Sequence, residues 1–386
     1  MTMPHKPVRR PARPFFSSGP CAKVPGWSPH SLSNAVVGRS HRSSEGKARL
    51  QRALALTRDV LELPESHRLI IVPASDTGAV ELALWTMLGE RGVDVLAWES
   101  FGQSWATDVR KQLKIKDVRV IEAAYGELPD LSRADPQRDC VFAWNGTTSG
   151  VRVPDAAWIS SERGGLTICD GTSAVFAQPV DFPKLDVATF SWQKALGSEA
   201  AHGMMVLSPR AVERLESYTP AWPLPKIFRL TSAGKFNKGL LEGETINTPS
   251  MLCVEDWIAS VTWAKSVGGL KALIARADAN AELLGEWVGR TPWVEHLAKS
   301  RETRSNTSVC LTIKGNESVP KRMAKLLADE RVAYDIGAHR DSPPGLRIWC
   351  GPTVEAGDIE ALLPWLDWSY GAVAAEAHRF AGETAQ

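Results

Sequence analysis

The sequence predicts an α/β protein, with a large unit built on a mostly parallel sheet between helices and a smaller α+β unit after it. Three observations carry this. Along the first two thirds of the chain, short apolar runs alternate with helical patterns, the order expected of a parallel sheet covered on both faces. Each apolar run ends in a polar exit, where ligands gather in such sheets. Beyond Asn247 the alternation gives way to long helical patterns and only then to two more strand-like runs.

Taken in order, "GKARLQRALALTRDVLEL" (Gly46 to Leu63) has apolar residues at helical spacing, at Leu50, Ala53, Leu54 and Leu56. Leu69 to Val72 reads as a strand. The turn Ser75 to Gly78 follows, then a helix with Val80, Ala83, Leu84, Met87 and Leu88 on its period. "DVLAWES" is strand-like, "SWATDVRKQL" helical and "VRVIEAA" strand-like. "DCVFAWNGTTSGVRVP" is a strand running into a loop, and "GLTICDGTSAV" and "LDVATFSWQKAL" are strands with polar exits. The stretch from Ser250 to Arg290 is helical with a break at Gly268-Gly269. "SVCLTIKG", a helix from about Pro320 to Glu330 and "GLRIWCG" complete the smaller unit, and the last residues extend a helix that frays. The boundaries read from this pattern are 1–14, a basic, proline-rich flexible tail; 15–262, the large domain; and 263–386, the small C-terminal domain.

Bulk properties narrow the function classes. Of 386 residues, 44% are hydrophobic and 23% charged, the balance of an ordinary globular protein. A net charge of +1 gives no electrostatic case for nucleic acid or an anionic membrane, and no apolar run is long enough to span a bilayer. The six cysteines are scattered without a CxxC pair, which fits reduced thiols in the cytoplasm. The eight histidines form no HxxxH or HExxH pair, so no metal is expected. The tail lacks the apolar core of a secretory signal.

Nucleotide motifs are absent. No two glycines are spaced by two, and the Gly46-Lys47 and Gly234-Lys235 pairs have His41 and Arg229 where a P-loop needs glycine. "SDTGA" (Ser75 to Ala79) opens a helix after a buried strand. Its free N–H groups suit a phosphate, although the same residues also make an ordinary N-cap. Asp170 and Lys194 each follow a strand and lie 24 residues apart, room enough to put both at one sheet edge. A desolvated lysine loses its proton near neutral pH and attacks aldehydes, and an aspartate there holds a pyridine nitrogen protonated. Spacing alone also allows a turn aspartate and a solvated lysine.

The order of parts decides between these. "FFSSGP" (Phe15 to Pro20), "SHRS" (Ser40 to Ser43), "NGTTSG", "SWQKALG" (Ser191 to Gly197), "INTPS" (Ile246 to Ser250) and "AHR" followed by "GLR" (Ala338 to Arg347) occur in sequence. Together they resemble the class V, fold-type I pyridoxal-phosphate aminotransferases, and within them the phosphoserine aminotransferases, over nearly the whole chain. The resemblance implies pyridoxal 5'-phosphate carried on Lys194, with Gln193 at its phosphate end and Asp170 on the ring nitrogen. It places Thr147, or Thr148 by a one-residue shift, near the phenolic oxygen. It gives the phosphate to the backbone amides of Asp76 and Thr77. Phe101 matches the stacking aromatic, with Trp105 as a rival. Asn247 and Thr248 match a phosphate contact made across a homodimer interface.

For substrates, the resemblance implies glutamate and a phosphorylated keto acid, 3-phosphohydroxypyruvate, in serine biosynthesis, with a related substrate of pyridoxine synthesis. Arg347 would hold the α-carboxylate, and His41, Arg42, His339 and Arg340 the phosphate or the second carboxylate. Arginine forks suit both groups. Many relatives carry arginine where this chain has Thr77. The rival readings are an alanine– or serine–glyoxylate aminotransferase, which would not need two His-Arg pairs, and a non-catalytic cofactor-binding protein, which would not need Lys194, Asp170 and Gln193 together. A cysteine desulfurase would need a reactive cysteine on a mobile loop, and none is recognisable.

Overall fold

The computed structural model describes residues 5–383. The first four residues of the expected tail and the last three of the expected fraying helix lie outside the described residues.

Helix α1 (Ser44–Val60) starts at Ser43, whose side chain accepts from the Gly46 amide, and turns Leu50, Ala53 and Leu54 to the core. Strand β1 (Arg68–Pro73) then passes to α2 (Ser75–Met87) through a sharp turn in which Ala74 and Ser75 have φ of 64° and 54°. The polar turn read at Ser75 to Gly78 is thus the first turn of α2 itself. Strand β2 (Val93–Ala97) leads to α3 (Ser100–Thr107), which Asp108–Gln112 extends as a π-turn. Strands β3 (Val118–Glu122) and β4 (Asp139–Ala143) precede a small hairpin, β5 (Asn145–Gly146) and β6 (Val151–Arg152). Strands β7 (Thr167–Asp170), β8 (Val187–Ser191) and β9 (His202–Leu207) complete the main sheet.

That sheet has seven strands in the order β1-β9-β8-β7-β4-β2-β3. The β3, β2, β4, β7 and β8 neighbours pair in parallel, whereas β9 runs antiparallel to both β1 and β8. Apolar clusters cover both faces, which is why its strands read as continuous apolar runs. The few acids at the amino ends of these strands meet arginines. Asp94 meets Arg138 at 2.8 Å, Asp139 meets Arg214 at 3.0 Å and Asp186, just before β8, meets Arg210 at 3.1 Å. The carboxyl edge is left for chemistry.

After β9 come α4 (Pro209–Ser217), the hairpin β10 (Thr231–Ser232) and β11 (Lys235–Phe236), then α5 (Met251–Ser266) and α6 (Gly269–Arg290). Helix α6 belongs to both units: Leu273 and Ala277 pack in the core of the large one, Leu284 and Trp287 in that of the small one. Strands β12 (Val294–His296), β13 (Ser308–Ile313) and β14 (Leu346–Trp349) form an antiparallel sheet, backed by α7 (Ser318–Asp329) and α8 (Ala356–Glu383).

The described part of the expected flexible tail is docked on this smaller unit. Lys6 meets Glu330 at 2.6 Å, the Arg10 guanidinium lies 4.9 Å from the Trp365 ring, and the Trp365 indole donates to the Arg9 carbonyl at 2.8 Å. The Ala12 amide donates to Asp358 at 2.7 Å, and Phe16, read as part of the large domain, is fully buried in the small core. Composition suggested mobility, but the cations of the segment find tryptophan faces and acceptors far along the chain.

Candidate active site

Parallel pairing of β4, β7 and β8 brings their carboxyl ends to one edge, so Asp170 at the end of β7 and Lys194 just past β8 meet. The starts of α2 and α3 arrive there from β1 and β2. A cavity of about 130 Å³ results, lined by Asp76, Thr77, Phe101, Trp105, Thr147, Asp170, Gln193 and Lys194 among others. Larger clefts on α6 carry none of these groups.

Lys194 is buried. Its Nζ donates to the Ser18 carbonyl at 2.6 Å. Burial is the main cause that draws its pKa below the ordinary lysine value; Arg347 adds to this, while Cys21, Asp170 and Asp76 oppose it. The segment "SSGP" closes over this lysine. At Gly19 the backbone has φ of 148°, which favours glycine, and a Cβ atom there would sit 2.7 Å from Nζ and push the lysine end aside.

Asp170 is held from two sides. Its Oδ1 accepts from the Thr172 amide and its Oδ2 from the Trp105 indole, each at 3.1 Å. Of the two aromatic candidates, Trp105 is 4% exposed and bonded to Asp170, whereas Phe101 is 37% exposed at the mouth, its ring 5.8 Å from that of His339. Thr147 lines the cavity and donates to Ser173 at 2.7 Å. Thr148 turns to Glu99, which accepts its hydroxyl at 2.7 Å and also caps α3 at the Gly102 amide. Gln193 Oε1 and Asp76 Oδ1 are buried with no hydrogen-bond partner.

His339 and Arg347 line an adjoining small cavity with Thr148, and Arg347 Nε is buried without a partner. Burial lowers the His339 pKa, and Arg347 lowers it further. Arg340 points outward, its side chain 88% exposed near Asp341. The structure does not bring His41, Arg42, Asn247 or Thr248 to the cavity of their own chain. These four share one end of a helix pair. Contacts of Arg49 with Glu255 and of Asp59 with Lys265 make α1 and α5 run parallel, so the segments before both helices emerge together, and Lys47 meets Glu244 at 3.3 Å. Arg42, Asn247 and Thr248 are exposed there, beside the exposed apolar Val37 and Leu252.

Sequence reasoning missed the Ser18 carbonyl on Lys194, the Trp105 bond to Asp170 and the Glu99 link. It also assigned Asp76 by its amide alone. Only Trp105, singled out as a rival, carried a signal in the sequence.

The donor set fits pyridoxal phosphate. The start of α2, with two left-handed residues before helical ones, presents amides to an anion; Asp170 suits a ring nitrogen; Lys194 is poised for an aldehyde. Fold and site together define a fold-type I pyridoxal-phosphate-dependent aminotransferase. No protein-family profile matches the chain. It is 60% identical over 95% of its length to the whole of a phosphoserine aminotransferase of Methanosarcina mazei, and 59% identical, also over 95%, to the whole of one from Methanosarcina barkeri. A phosphoserine aminotransferase structure from Cytophaga hutchinsonii, 18% identical, superposes with a TM-score of 0.81, covering 92% of this chain and 98% of that one. The chain belongs to the phosphoserine aminotransferase family. Its reaction is the reversible transfer of an amino group between glutamate and 3-phosphohydroxypyruvate, which yields O-phosphoserine and 2-oxoglutarate.

Proposed function

We propose the following roles for the residues of this transaminase. The observation that carries them is the Lys194 amine, whose proton its enclosed surroundings hold more weakly than usual, in one cavity with Asp170. When bound, the cofactor supplies an aldehyde and an electron-withdrawing ring. Lys194 Nζ holds that aldehyde, is released by the incoming amino donor and then takes the proton from the donor's α-carbon. In the return half-reaction it delivers a proton to the α-carbon of the keto acid. Asp170 keeps the ring nitrogen protonated, while Trp105 and the Thr172 amide fix its orientation. The Asp76 and Thr77 amides and Gln193 hold the phosphate, Thr147 the phenolic oxygen, and Phe101 covers the ring.

Arg347, whose Nε lacks a protein partner, grips the substrate α-carboxylate, with His339 and Arg340 beside it. His41, Arg42, Asn247 and Thr248 serve the site of a second copy in a homodimer. The exposed position of Arg42, Asn247 and Thr248 at the shared α1–α5 end, with Val37 and Leu252, supports this reading. The enzyme acts in serine synthesis, with a phosphorylated four-carbon keto acid of pyridoxine synthesis as a second substrate. Six free cysteines fit the reducing cytoplasm. No described helix is long and apolar enough to cross a membrane.

The test follows the absorption of the bound cofactor during titration with O-phosphoserine, glutamate, alanine and serine. Conversion by phosphoserine and glutamate alone supports the assignment, and conversion by alanine or serine instead moves the protein to the glyoxylate type. Lys194→Ala loses turnover by about 10²–10⁴-fold or more. Mixing Lys194→Ala chains with Asn247→Ala chains restores activity if sites are shared, and leaves both inactive if they are not.

A further inference from the structure

The sheet treats its acids differently at its two edges. At the amino ends, Asp94, Asp139 and Asp186 each meet arginine. At the carboxyl edge, among the described residues, no ion pair holds Asp76 or Asp170. Yet Asp76 is only 6% exposed, and it lines one cavity with Asp170, close enough for the two carboxyls to interact.

Two ionised carboxylates this close in a dry site repel, so such a pair holds one shared proton. The donors around the two groups decide where it resides. Asp170 has one donor on each oxygen, the Thr172 amide and the Trp105 indole, so both of its oxygens already accept a hydrogen bond. Asp76 has Oδ1 buried without a partner, and the nearby Thr189 hydroxyl is likewise unpaired. Lys194 is the cation that faces the pair, and its own proton is weakly held. Burial first, and then the facing Asp170, push the Asp76 carboxyl well above the usual carboxylate range.

We propose that the Asp76 side chain is a positioning residue, a neutral carboxyl that donates its proton in a hydrogen bond to Asp170 and so fixes the ionised Asp170 against the cofactor's ring nitrogen. The assignment rests on the role of Asp170 given above and is separate from the amide of residue 76.

The experiment uses holoenzymes. Asparagine keeps the shape, a donor for Asp170 and an acceptor for Thr189, whereas alanine removes all three. In the infrared difference spectrum of wild type minus Asp76→Asn at pH near 8, a carbonyl band of a protonated carboxyl is expected from the wild type. Fluorescence titration with pyridoxal phosphate is expected to show Asp76→Ala weakened by about tenfold or more and Asp76→Asn within about threefold of wild type, the difference a buried hydrogen bond makes. Absence of the band, or an asparagine variant that binds as poorly as the alanine one, overturns the proposal. If Asp76→Ala does not fold, the band and the asparagine affinity still decide. Asp170→Asn, titrated in parallel, separates the two readings: wild-type affinity in that variant sinks the Asp170 assignment, whatever Asp76 does.

Discussion

Trp105 donates its indole N–H to Oδ2 of Asp170 at 3.1 Å, from a position one helical turn beyond Phe101 on α3. One short helix thus places an aromatic ring at the mouth of the cavity and, deeper, a donor on Asp170. Trp105→Phe keeps the ring and removes the donor. We expect cofactor affinity to fall by about tenfold to a hundredfold, the worth of one hydrogen bond to a charged group, with the fold intact. Fluorescence titration checks this, and unchanged affinity would leave Asp170 held by Thr172 alone.

His202 and His296 set the acid limit of stability. Burial depresses each to a pKa of about 4 from the usual 6.5, with Arg304 adding to the effect at His296. His202 accepts at Nε2 from the Ser250 amide at 3.1 Å, a bond only the neutral ring can make. Because the folded pKa is below the unfolded one, their contribution is present above pH about 6.5 and lost as pH falls toward 4. Each histidine accounts for about 3 kcal/mol across that window. Denaturant melts at pH 7 and pH 4.5 should show the loss, and His202→Gln should reduce it; identical slopes with pH would count against it.

The buried ion pair at the far end of the sheet is a stability element without a catalytic part. Arg214 donates to Asp139 at 3.0 Å and to the Met87 carbonyl at 2.7 Å. Arg214→Ala leaves Asp139 buried and uncompensated, at a cost of about 3–5 kcal/mol. Urea unfolding should show that loss with cofactor affinity unchanged. Asp139→Asn in the Arg214→Ala background should recover part of it.

Residues 5–14 contribute through the small unit. Removing them strips Trp365 of its indole acceptor and Asp358 of the Ala12 amide, and lifts Arg10 off the Trp365 ring. We expect a loss of about 1–3 kcal/mol, from one cation–π contact and a few hydrogen bonds. Calorimetry of a chain starting at Phe15 checks it; an unchanged melting temperature would show the docked segment to be energetically neutral.

The sequence by itself determined the alternation of strands and helices, the polar exits that carry Asp170 and Lys194, and the polar segment from Ser75 that leads into a helix. These are local signals: a strand, its exit and the next helix are contiguous, so periodicity and turn chemistry report them. The ordered motifs then carried the resemblance. Only the tertiary structure decided which of Phe101 and Trp105 reaches Asp170, that Asp76 faces Asp170, and that Ser18 and Gly19 close over Lys194. Only it showed the basic segment lying against Trp365, and His41 and Arg42 emerging beside Asn247 and Thr248. Each of these joins residues distant in the chain through packing, where burial and the need of every polar group for a partner set the geometry. No spacing within the sequence encodes that directly.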